Sequence, residues 1–512
     1  MPRLGPPRDF DGRFFTDQVV RSAYSEGAGP YRIVPAAVAI PEHREDLRRL
    51  LRHAADTDTP IHPRGAGSGI PGGNLGTGIV IDLARFDRPA RVALTETANV
   101  GSGVTWATVT EVASHFGFRL PPDPSSGAFC TIGGMVATNA AGARSLSVGS
   151  IRTWVRGIEF VTTDGEAGWL TREHAARTHK YRTPTDRRSL VERLAAEERF
   201  APVEAAVQAA AALIADRFPR TRKNASGYAL DEFLASGDLV DLIVGSEGTL
   251  GIVTRVELQL QHSPEYSGTL LLGLASIDTL GDVVAVLRAN DPAMIELLDR
   301  SFLDLVPPNA ILGTRDLDAV LLVEFERRDE ATLTATLAAA RETVREACPL
   351  GRSATSPDER EALWALRHAA SSTLAALPPN RRSLQVIEDG CVPPEALDAY
   401  LRGVRQLAAE SGVQVVAFGH AGDGHLHVNA LVDTTEPNFA ARLEQLLDGV
   451  TALVIELGGT PSGEHGDGRL RAHVLDRLGS DEPPVAPLGM CALERSSAAC
   501  FRRKRILALA PG

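Results

Sequence analysis

The sequence predicts an α+β protein with two large domains and a helical C-terminal segment. Its 512 residues exceed the roughly 100–200 residues of a typical domain. From Pro35 to about Gln261, short apolar strands alternate with helices and glycine-rich turns, whereas longer elements follow His262. We therefore expect an N-terminal extension (1–34), a first domain (35–262), a second domain (263–475) and an atypical tail (476–512).

Composition and charge exclude several classes of protein. A composition of 44% hydrophobic and 23% charged residues is that of a folded globular protein. The net charge of −12 argues against nucleic-acid binding, which needs a basic face. The five cysteines form no CxxC pair, so we expect no disulfide scaffold, no cysteine-based zinc ribbon and no self-contained iron–sulfur cluster.

The chain carries no signal for secretion or membrane insertion. Its first residues lack an apolar core followed by a small-residue cleavage site, and no apolar run approaches the ~20 residues that span a bilayer. We expect a cytoplasmic protein without a transmembrane segment, and peripheral association with the inner face of the membrane is the alternative.

The elements of the first domain follow from apolar periodicity. Leu47, Leu50, Leu51 and Ala54 recur at helical spacing and predict a helix within Pro41–Asp56. A second helix is predicted by Val109, Val112, Ala113 and Phe116. Apolar runs predict strands at Gly78–Leu83, Ile158–Thr163 and Leu239–Val244. The Ala- and Arg-rich stretch from about Glu166 to Arg222 is interpreted as a helical insertion.

The second domain shows longer elements of both types. Strands are predicted at Gly268–Leu274, Ala319–Glu324 and Gln414–Gly419, and a helix from about Glu330 to Ala347. A later helix presents Leu443, Leu446, Leu447 and Val450 on one face, and Gly458-Gly459 ends it.

Three glycine-rich segments indicate a large ligand held by main chain. The string RGAGSGIPGG (Arg64–Gly73) contains a formal GxGxxG, but a strand rather than a helix follows it, which argues against a Rossmann site. We expect this loop to join two strands and to wrap a pyrophosphate with its amides; the alternative is a flexible surface turn. Small residues across Pro121–Ser145 and three glycines in GSEGTLGIV (Gly245–Val253) suit a backbone pressed against a flat cofactor.

Histidines and a carboxylate concentrate in two further turns. GHAGDGHLHVN (Gly419–Asn429) contains three histidines, and SGEHGDG (Ser462–Gly468) contains Glu464 and His465. On a strand, His425, His427 and Asn429 would share one face. Imidazoles and a carboxylate suit zinc, and equally manganese or ferrous iron. A hydrogen-bonded structural cluster and a metal-dependent hydrolase are the alternatives; the hydrolase leaves the three glycine-rich segments unexplained.

With these segments in this order, the chain resembles the vanillyl-alcohol oxidase/p-cresol methylhydroxylase flavoproteins. Within them it is most similar to the FAD-linked D-2-hydroxyacid dehydrogenases, which act on D-lactate, glycolate or D-2-hydroxyglutarate. The resemblance runs from about Arg21 to Leu475. KNASGYALDEFL (Lys223–Leu234) and IEDGCVPPEAL (Ile387–Leu397) resemble the flavoprotein part of enzymes fused to an iron–sulfur module. The resemblance implies a two-subdomain FAD-binding domain of p-cresol methylhydroxylase type, followed by an α+β substrate (cap) domain.

The resemblance assigns the cofactor contacts to FAD. The first loop would grip the pyrophosphate, and Ser68, where some relatives carry a histidine that binds FAD covalently, implies non-covalent FAD. The implied FAD-binding residues are Arg64, Gly65, Ala66, Gly67, Ser68, Gly69, Gly72, Gly73, Pro122, Asp123, Gly133, Gly134, Asn139, Ala141, Gly142, Glu247, Gly248, Gly251, Ile252 and Val253.

The resemblance also assigns roles to the histidine-rich turns and their surroundings. His420, His427 and Glu464 would bind a divalent metal, with zinc expected. The general base and substrate contact would be His465. Further substrate contacts would be Asn429, Ser371 and Arg367, whose planar guanidinium suits a carboxylate; a helix-surface arginine is the alternative for the last. Ile387 stands where 2-hydroxyglutarate enzymes can carry a lysine, which argues against a second substrate carboxylate.

The expected reaction is hydride transfer from a small D-2-hydroxy acid to the flavin. An electron acceptor must follow: a separate iron–sulfur subunit, an electron-transfer flavoprotein or a quinone. The tail after about Leu475 lacks the Asp-Pro…Asn-Pro-Gly segment that closes relatives. A frameshifted or truncated reading frame, or natural divergence, would explain it. The alternative function is therefore a non-catalytic or decayed FAD-binding subunit of a larger complex.

Overall fold

A computed structural model describes residues 4–87, 91–93, 96–172, 201–306, 316–378 and 380–477. Residues 173–200 of the expected helical insertion and residues 478–512 of the atypical tail lie outside this part. Both halves of the chain contain helices and antiparallel strands, and the described parallel pairs lie in the N-terminal half, which confirms the α+β prediction. No helix within the described residues is long and apolar enough to cross a membrane.

The first sheet carries the first glycine loop. Its order is β1-β2-β4-β3, and β4 pairs in parallel with both β2 and β3. Helix α2 covers it with the predicted apolar face and begins only at Arg44, because His43 is extended and its side chain caps the amide of Asp46. The bounds are β1 Arg13–Phe15, α1 Gln18–Ala23, β2 Ala37–Ile40, α2 Arg44–Asp56, β3 Ile61–Arg64 and β4 Ile79–Asp82.

A second sheet, entirely antiparallel, has the order β5-β6-β10-β8-β9. Its strands are β5 Arg91–Ala93, β6 Thr97–Gly101, β8 Val155–Thr162, β9 Ala167–Thr171 and β10 Gly251–Gln259; β7 Phe118–Arg119 pairs separately with β11 Gln261–His262. The helices are α3 Trp106–Ser114, α4 Ile132–Thr138, α5 Ser145–Val148, α6 Ile151–Trp154, α7 Ala201–Ala209, α8 Ala211–Arg217, α9 Leu230–Ser236 and α10 Leu239–Ile243.

One predicted strand of this region is wrong. Leu239–Ile243 forms helix α10 instead, because Asp238 caps the amide of Val240, and residues 240–243 are all buried. A short apolar run that is buried all round has no periodicity that separates helix from strand. The GSEGTLGIV segment therefore follows a helix rather than a strand.

The C-terminal region is built on a large antiparallel sheet with the order β15-β12-β14-β13-β18-β19-β16, and β17 pairs with β19. Its strands are β12 Tyr266–Leu274, β13 Met294–Asp299, β14 Ala319–Arg327, β15 Leu350–Ala354, β16 Arg382–Leu384, β17 Gly390–Cys391, β18 Gln414–Gly419 and β19 His425–Val432. The helices are α11 Leu280–Arg288, α12 Arg300–Leu303, α13 Glu330–Thr343, α14 Pro357–His368, α15 Ala370–Ala375, α16 Leu397–Ser411, α17 Phe439–Glu456 and α18 Gly468–Arg471. The predicted strands and the two long helices of this region are confirmed.

Both faces of this large sheet are covered by apolar cores. Leu426, Val428 and Ala430 of β19 point into the larger core, and Leu431 points into the smaller one. Alternation along the strand therefore places His425, His427 and Asn429 on the face of the smaller core, as predicted. Helix α14 covers this face through Trp364. The same face meets the N-terminal region, so the histidines lie where the two halves of the chain join.

Candidate functional site

The first glycine loop joins two neighbouring parallel strands, β3 and β4, as the sequence predicted. Two of its glycines have left-handed backbone, with φ of +76° at Gly67 and +78° at Gly72. A Cβ at Gly67 would collide with the guanidinium of Arg64, and one at Gly72 with the ring of Tyr31. These positions therefore need glycine to fold the loop back over the strand ends.

All three glycine-rich segments line one cleft. The space between its walls, open solvent included, is about 1440 Å³. The predicted cofactor residues that line it are Arg64, Gly65, Ala66, Gly67, Ser68, Gly69, Gly73, Gly133, Gly134, Ala141, Glu247, Gly248, Gly251, Ile252 and Val253. Glu464 and His465 also reach its wall.

Five predicted cofactor residues do not line this cleft. Gly72 packs on Tyr31, Asn139 is the left-handed C-cap of α4, and the carbonyl of Pro122 accepts from the Trp106 indole. The carboxylate of Asp123 binds Arg144 at 2.6 Å. A Cβ at Gly142 would lie 2.4 Å from the carbonyl oxygen of Asp123, so this glycine permits close backbone packing.

The cleft fits a long polar cofactor such as FAD. Three side-chain atoms on its wall, Arg64 Nη1, Asn74 Oδ1 and Ser102 Oγ, are buried without a hydrogen-bond partner among the described residues. Buried polar groups are normally satisfied, so such atoms indicate a ligand with complementary groups. A Cβ at Gly69 would meet no described atom nearer than 3.7 Å, which leaves open space along the wall.

At the end of the cleft, three atoms that can each donate a lone pair to a cation converge. His420 Nε2 lies 3.3 Å from His427 Nε2, and Glu464 Oε1 lies 3.4 Å from the first and 3.6 Å from the second. Ligands about 2.0–2.1 Å from a tetrahedral zinc ion are about 3.3–3.4 Å apart, so the donor separations fit such an ion. The sequence therefore placed these three residues in one cluster correctly, and their donor set suits a divalent metal.

Both imidazoles are held with their Nε2 lone pairs toward each other. His420 Nδ1 donates to Glu296 Oε1 at 2.5 Å, and His427 Nδ1 donates to the carbonyl of Glu388 at 3.2 Å. Because a carboxylate and a carbonyl only accept, the proton of each neutral ring sits on Nδ1. Metal-bound histidines typically make such a bond with their second nitrogen. His425 differs, because Asp389 and Lys223 contact its two nitrogens at 2.9 and 3.4 Å.

The carboxylate of Glu464 is oriented by a buried ammonium. Lys223 Nζ donates to Glu464 Oε2 at 2.8 Å, which leaves Oε1 toward the two histidines. Burial alone would raise the pKa of Glu464, but Lys223 and His420 outweigh it and hold this pKa well below its usual value. Glu464 is therefore an anionic donor.

His465 is surrounded by carboxylates. Its Nδ1 lies 2.8 Å from Glu388 Oε2, and its Nε2 lies 3.5 Å from Glu464 Oε1. Burial would lower the pKa of His465, but Glu388 and Asp389 outweigh it and raise this pKa well above its usual value. Arg471 in turn binds Glu388 at 2.7 Å, so the carboxylate that holds the imidazole is itself fixed.

The remaining predicted substrate residues lie behind the cluster. Arg367 Nε donates to Glu296 Oε2 at 2.7 Å, and its guanidinium lies over the Phe418 ring, so it is not an exposed helix-surface arginine. Asn429 accepts from Ser383 at 3.2 Å, and its buried Nδ2 has no partner in the described part of the chain. Ser371 begins the first turn of α15, but its side chain is outside the described residues.

Sequence reasoning missed the residues that hold this cluster in place: Lys223, Glu296, Glu388, Asp389 and Arg471. Asp389 Oδ2 accepts from the amide of His465 at 3.0 Å and from Ser462 Oγ at 2.7 Å, which shapes the second turn. An acidic pair after the apolar Val386-Ile387 was the available signal for Glu388 and Asp389. Glu296 lies in a strand whose other residues are nearly all apolar, and a lone carboxylate there was a comparable signal.

Two family models match this chain. The model described as "FAD binding domain" matches residues 35–171, and "FAD linked oxidases, C-terminal domain" matches residues 263–482. The first match contains two of the glycine-rich segments, and the second contains both histidine-rich turns.

Curated relatives match over most of their length. The chain is 30% identical to glycolate oxidase subunit GlcD of Bacillus subtilis (strain 168), with 93% of this chain and 89% of that protein covered. It is 28% identical to a D-lactate dehydrogenase of Archaeoglobus fulgidus, with 89% of each covered. A D-2-hydroxyglutarate dehydrogenase of Xanthomonas citri pv. viticola is 29% identical, with 86% of this chain and 83% of that protein covered.

Among solved structures, a 4-ethylphenol oxidase from Gulosibacter chungangensis in an isoeugenol complex has a similar fold. The TM-score is 0.63 at 15% identity, with 96% of this chain and 92% of that chain covered. An alkyldihydroxyacetonephosphate synthase matches with a TM-score of 0.59 at 17% identity, with 89% and 82% covered. At these identities the likeness concerns the fold alone.

Proposed function

Because this chain belongs to the FAD-linked oxidases, in the family of 2-hydroxyacid dehydrogenases, we propose that it oxidises a D-2-hydroxy acid to the 2-oxo acid. Its relatives are named glycolate oxidase, D-lactate dehydrogenase and D-2-hydroxyglutarate dehydrogenase, all oxidoreductases that act on CH–OH donors. One observation carries the proposal: Glu464 and His465 lie both in the histidine cluster and on the wall of the cofactor cleft.

The cleft would hold FAD without a covalent bond. The loop from Arg64 to Gly73 would bind the pyrophosphate through its amides, and Ser68 in it offers no imidazole for attachment. Arg64 Nη1, Asn74 Oδ1 and Ser102 Oγ would satisfy polar groups of the cofactor. When bound, FAD supplies the acceptor for the hydride that leaves the substrate carbon.

A divalent cation, with zinc expected, would be held by His420, His427 and Glu464, whose donor separations support this assignment. It would lower the pKa of a hydroxyl bound beside it. His465 would accept the hydroxyl proton at Nε2 in its neutral form, and a cation held beside it would oppose the carboxylates that raise its pKa. The positive charge that results on the imidazole is stabilised by Glu388 at Nδ1.

The substrate carboxylate would be bound by Arg367. Because its Nε is held by Glu296, the guanidinium plane is fixed, and we assign its terminal Nη groups to the carboxylate. The unpartnered Nδ2 of Asn429 would donate to a substrate oxygen. Ile387 packs in the larger apolar core, and where 2-hydroxyglutarate enzymes can carry a lysine it offers no charge for a second substrate carboxylate; lactate or glycolate would need none.

An anaerobic titration of the purified FAD-loaded protein tests this function. D- and L-lactate, glycolate, malate and 2-hydroxyglutarate are added in turn while the visible flavin spectrum is recorded. We expect D-lactate or glycolate to bleach the bound flavin and L-lactate to leave it oxidised. A flavin that no hydroxy acid reduces would contradict the proposal and favour the non-catalytic subunit. Artificial quinone and protein acceptors then identify the class of electron acceptor.

A further inference from the structure

The segment Arg222–Gly227 lies along the turn that carries Glu464, although the two are about 240 residues apart in the chain. The amide of Ala225 donates to the carbonyl of Ser462 at 2.8 Å, and Thr460 Oγ1 donates to Asn224 Oδ1 at 3.0 Å. The amide of Gly227 donates to Asp467 Oδ2 at 2.7 Å. These bonds hold the segment, which we call the strap, against the turn.

Lys223 is the member of the strap that points at the cluster. Its side chain is only 3% exposed. Its ammonium donates to Glu464 Oε2 at 2.8 Å and to the carbonyl of Gly142 at 3.2 Å, and it lies 4.0 Å from Asp423 Oδ2. An ammonium has three protons to donate, and Glu464 Oε2, the carbonyl of Gly142 and His425 Nδ1 at 3.4 Å accept all three.

The two oxygens of Glu464 therefore face different partners. Oε2 is taken by the ammonium, whereas Oε1 lies 3.4 and 3.6 Å from the Nε2 atoms of His420 and His427. If the carboxylate turned, Oε1 would leave the histidines. The bond to Gly142 also ties the ammonium to the segment that follows helix α4 of the cofactor cleft.

We propose that Lys223 is a positioning residue that presents Glu464 to the metal through one oxygen and fixes that oxygen relative to the cofactor cleft. The inference rests on the proposed function, because it requires that His420, His427 and Glu464 bind a metal. Removing a residue that hydrogen-bonds to a metal ligand typically lowers the metal affinity by about 10–100-fold. Lys223 makes no assigned contact to substrate, so its effect acts through Glu464.

The test compares Lys223→Met with Arg222→Met in the FAD-loaded protein. Arg222 is on the same strap and pairs with Asp423 at 3.2 Å, but it has no contact with Glu464. Zinc affinity is measured by competition with a chelator, and cobalt is substituted for its visible absorption spectrum. We expect Lys223→Met to lose about 10–100-fold in zinc affinity and to shift the cobalt spectrum, because Glu464 Oε2 becomes free to bind. Arg222→Met should stay within about threefold of the parent protein.

Several results overturn the inference. If Lys223→Met keeps the parental zinc affinity and cobalt spectrum, Lys223 does not position Glu464, whereas the metal site itself stands. If Arg222→Met loses as much zinc affinity as Lys223→Met, the loss comes from general disruption of the strap and the inference fails. A parent protein that binds neither metal, with Glu464→Gln as the reference for a lost ligand, would remove the proposed metal site itself. If Lys223→Met does not fold with FAD, Lys223→Gln keeps a neutral donor on a side chain one bond shorter; we expect about a tenfold loss of zinc affinity there, and parental affinity overturns the inference.

Discussion

At the residue scale, the chemistry of this protein depends on which ring nitrogen of each histidine is occupied. Glu296 and the Glu388 carbonyl hold the Nδ1 atoms of His420 and His427, so that two lone pairs face the same point. His425 lies two residues from His427 on the same face of β19, yet its two nitrogens contact Asp389 and Lys223. The same side chain thus either keeps a free Nε2 lone pair or has both nitrogens occupied, according to its partners.

His465→Ala should reduce turnover by about 10²–10⁴-fold, because no other group is assigned to accept the hydroxyl proton. Flavin content should be unchanged, since Glu388 keeps its bond to Arg471 at 2.7 Å. The measurement is single-turnover flavin reduction by the substrate found in the anaerobic titration. His368→Ala, at an exposed histidine of α14, is the control. Parental rates in the first variant would remove His465 from the role of base.

His62 should make the protein sensitive to acid. Burial lowers the pKa of His62 to about 4, whereas the unfolded chain binds this proton near pH 6.5. The unfolded state therefore gains a proton first, and each pH unit below 6.5 costs about 1.4 kcal/mol of stability until the folded pKa is reached. Between pH 7 and pH 5, we expect the free energy of unfolding of His62→Leu to fall by about 2 kcal/mol less than that of the parent, as measured by denaturant unfolding. His368→Leu should follow the parent, and equal losses in all three proteins would refute the assignment.

At the element scale, the turn between β18 and β19 separates the two histidine donors. Its residue Gly424 has φ of +74°, and a Cβ there would lie 2.0 Å from the carbonyl oxygen of Val392. Gly458 has the same φ of +74°, but a Cβ there would meet no described atom within 4 Å. Comparing substitutions at Gly424 and Gly458 therefore distinguishes the cost of a left-handed backbone from the cost of a steric clash inside the site.

Gly424→Ala should displace His420 from His427 and lower zinc content together with turnover, because the backbone cannot keep the turn with a Cβ at that position. Gly458→Ala carries only the left-handed strain, about 1–2 kcal/mol, and should keep parental zinc content. Metal analysis of both purified variants, with flavin absorbance as the check on folding, measures this difference. Equal zinc content in the two variants would show that the turn does not position the donors.

At the scale of the whole molecule, charged side chains join the cofactor half to the large sheet. Arg144, next to the cofactor segment, binds Asp123 at 2.6 Å and the β14 residues Glu324 and Glu326 at 2.5 and 3.2 Å. Arg119 also binds Glu326, at 2.6 Å. The predicted two-domain architecture of p-cresol methylhydroxylase type is confirmed. Two family models, one for each domain, match this chain, and a solved oxidase has a similar fold.

Arg144→Met should destabilise the protein by about 3–5 kcal/mol, because it leaves the buried carboxylate of Glu324 with Arg360 as its remaining partner in the network. We expect the thermal unfolding midpoint to fall by about 3–5 °C, because the entropy of unfolding scales with the 512 residues of the chain. Arg402→Met removes an exposed arginine that binds Asp278 and Asp398, and it should leave the unfolding midpoint close to that of the parent. Similar midpoints for the two variants would mean that the network does not join the halves.

Much of this architecture was readable from the amino-acid sequence. Spacing along the chain predicted helix α2, the strands that flank the first glycine loop, and the common face of His425, His427 and Asn429, because each is a local property of period 3.6 or 2. The resemblance to FAD-linked dehydrogenases added the family, which the comparisons confirm. The apolar run Leu239–Val244 was assigned wrongly, since a segment buried on all sides has no such period.

The sequence by itself determined the fold class, the three glycine-rich segments that line one cleft, and the residue types of the histidine cluster. Only the tertiary structure decided which partners hold that cluster: Glu296 behind His420, Glu388 behind His465, and Lys223 behind Glu464, which is 241 residues away in the chain. Local periodicity carries no information about contacts at such separations. These contacts arise because segments distant in the chain pack together where the two halves of the molecule meet. A buried charge is stable there only beside an opposite charge or a hydrogen-bond partner.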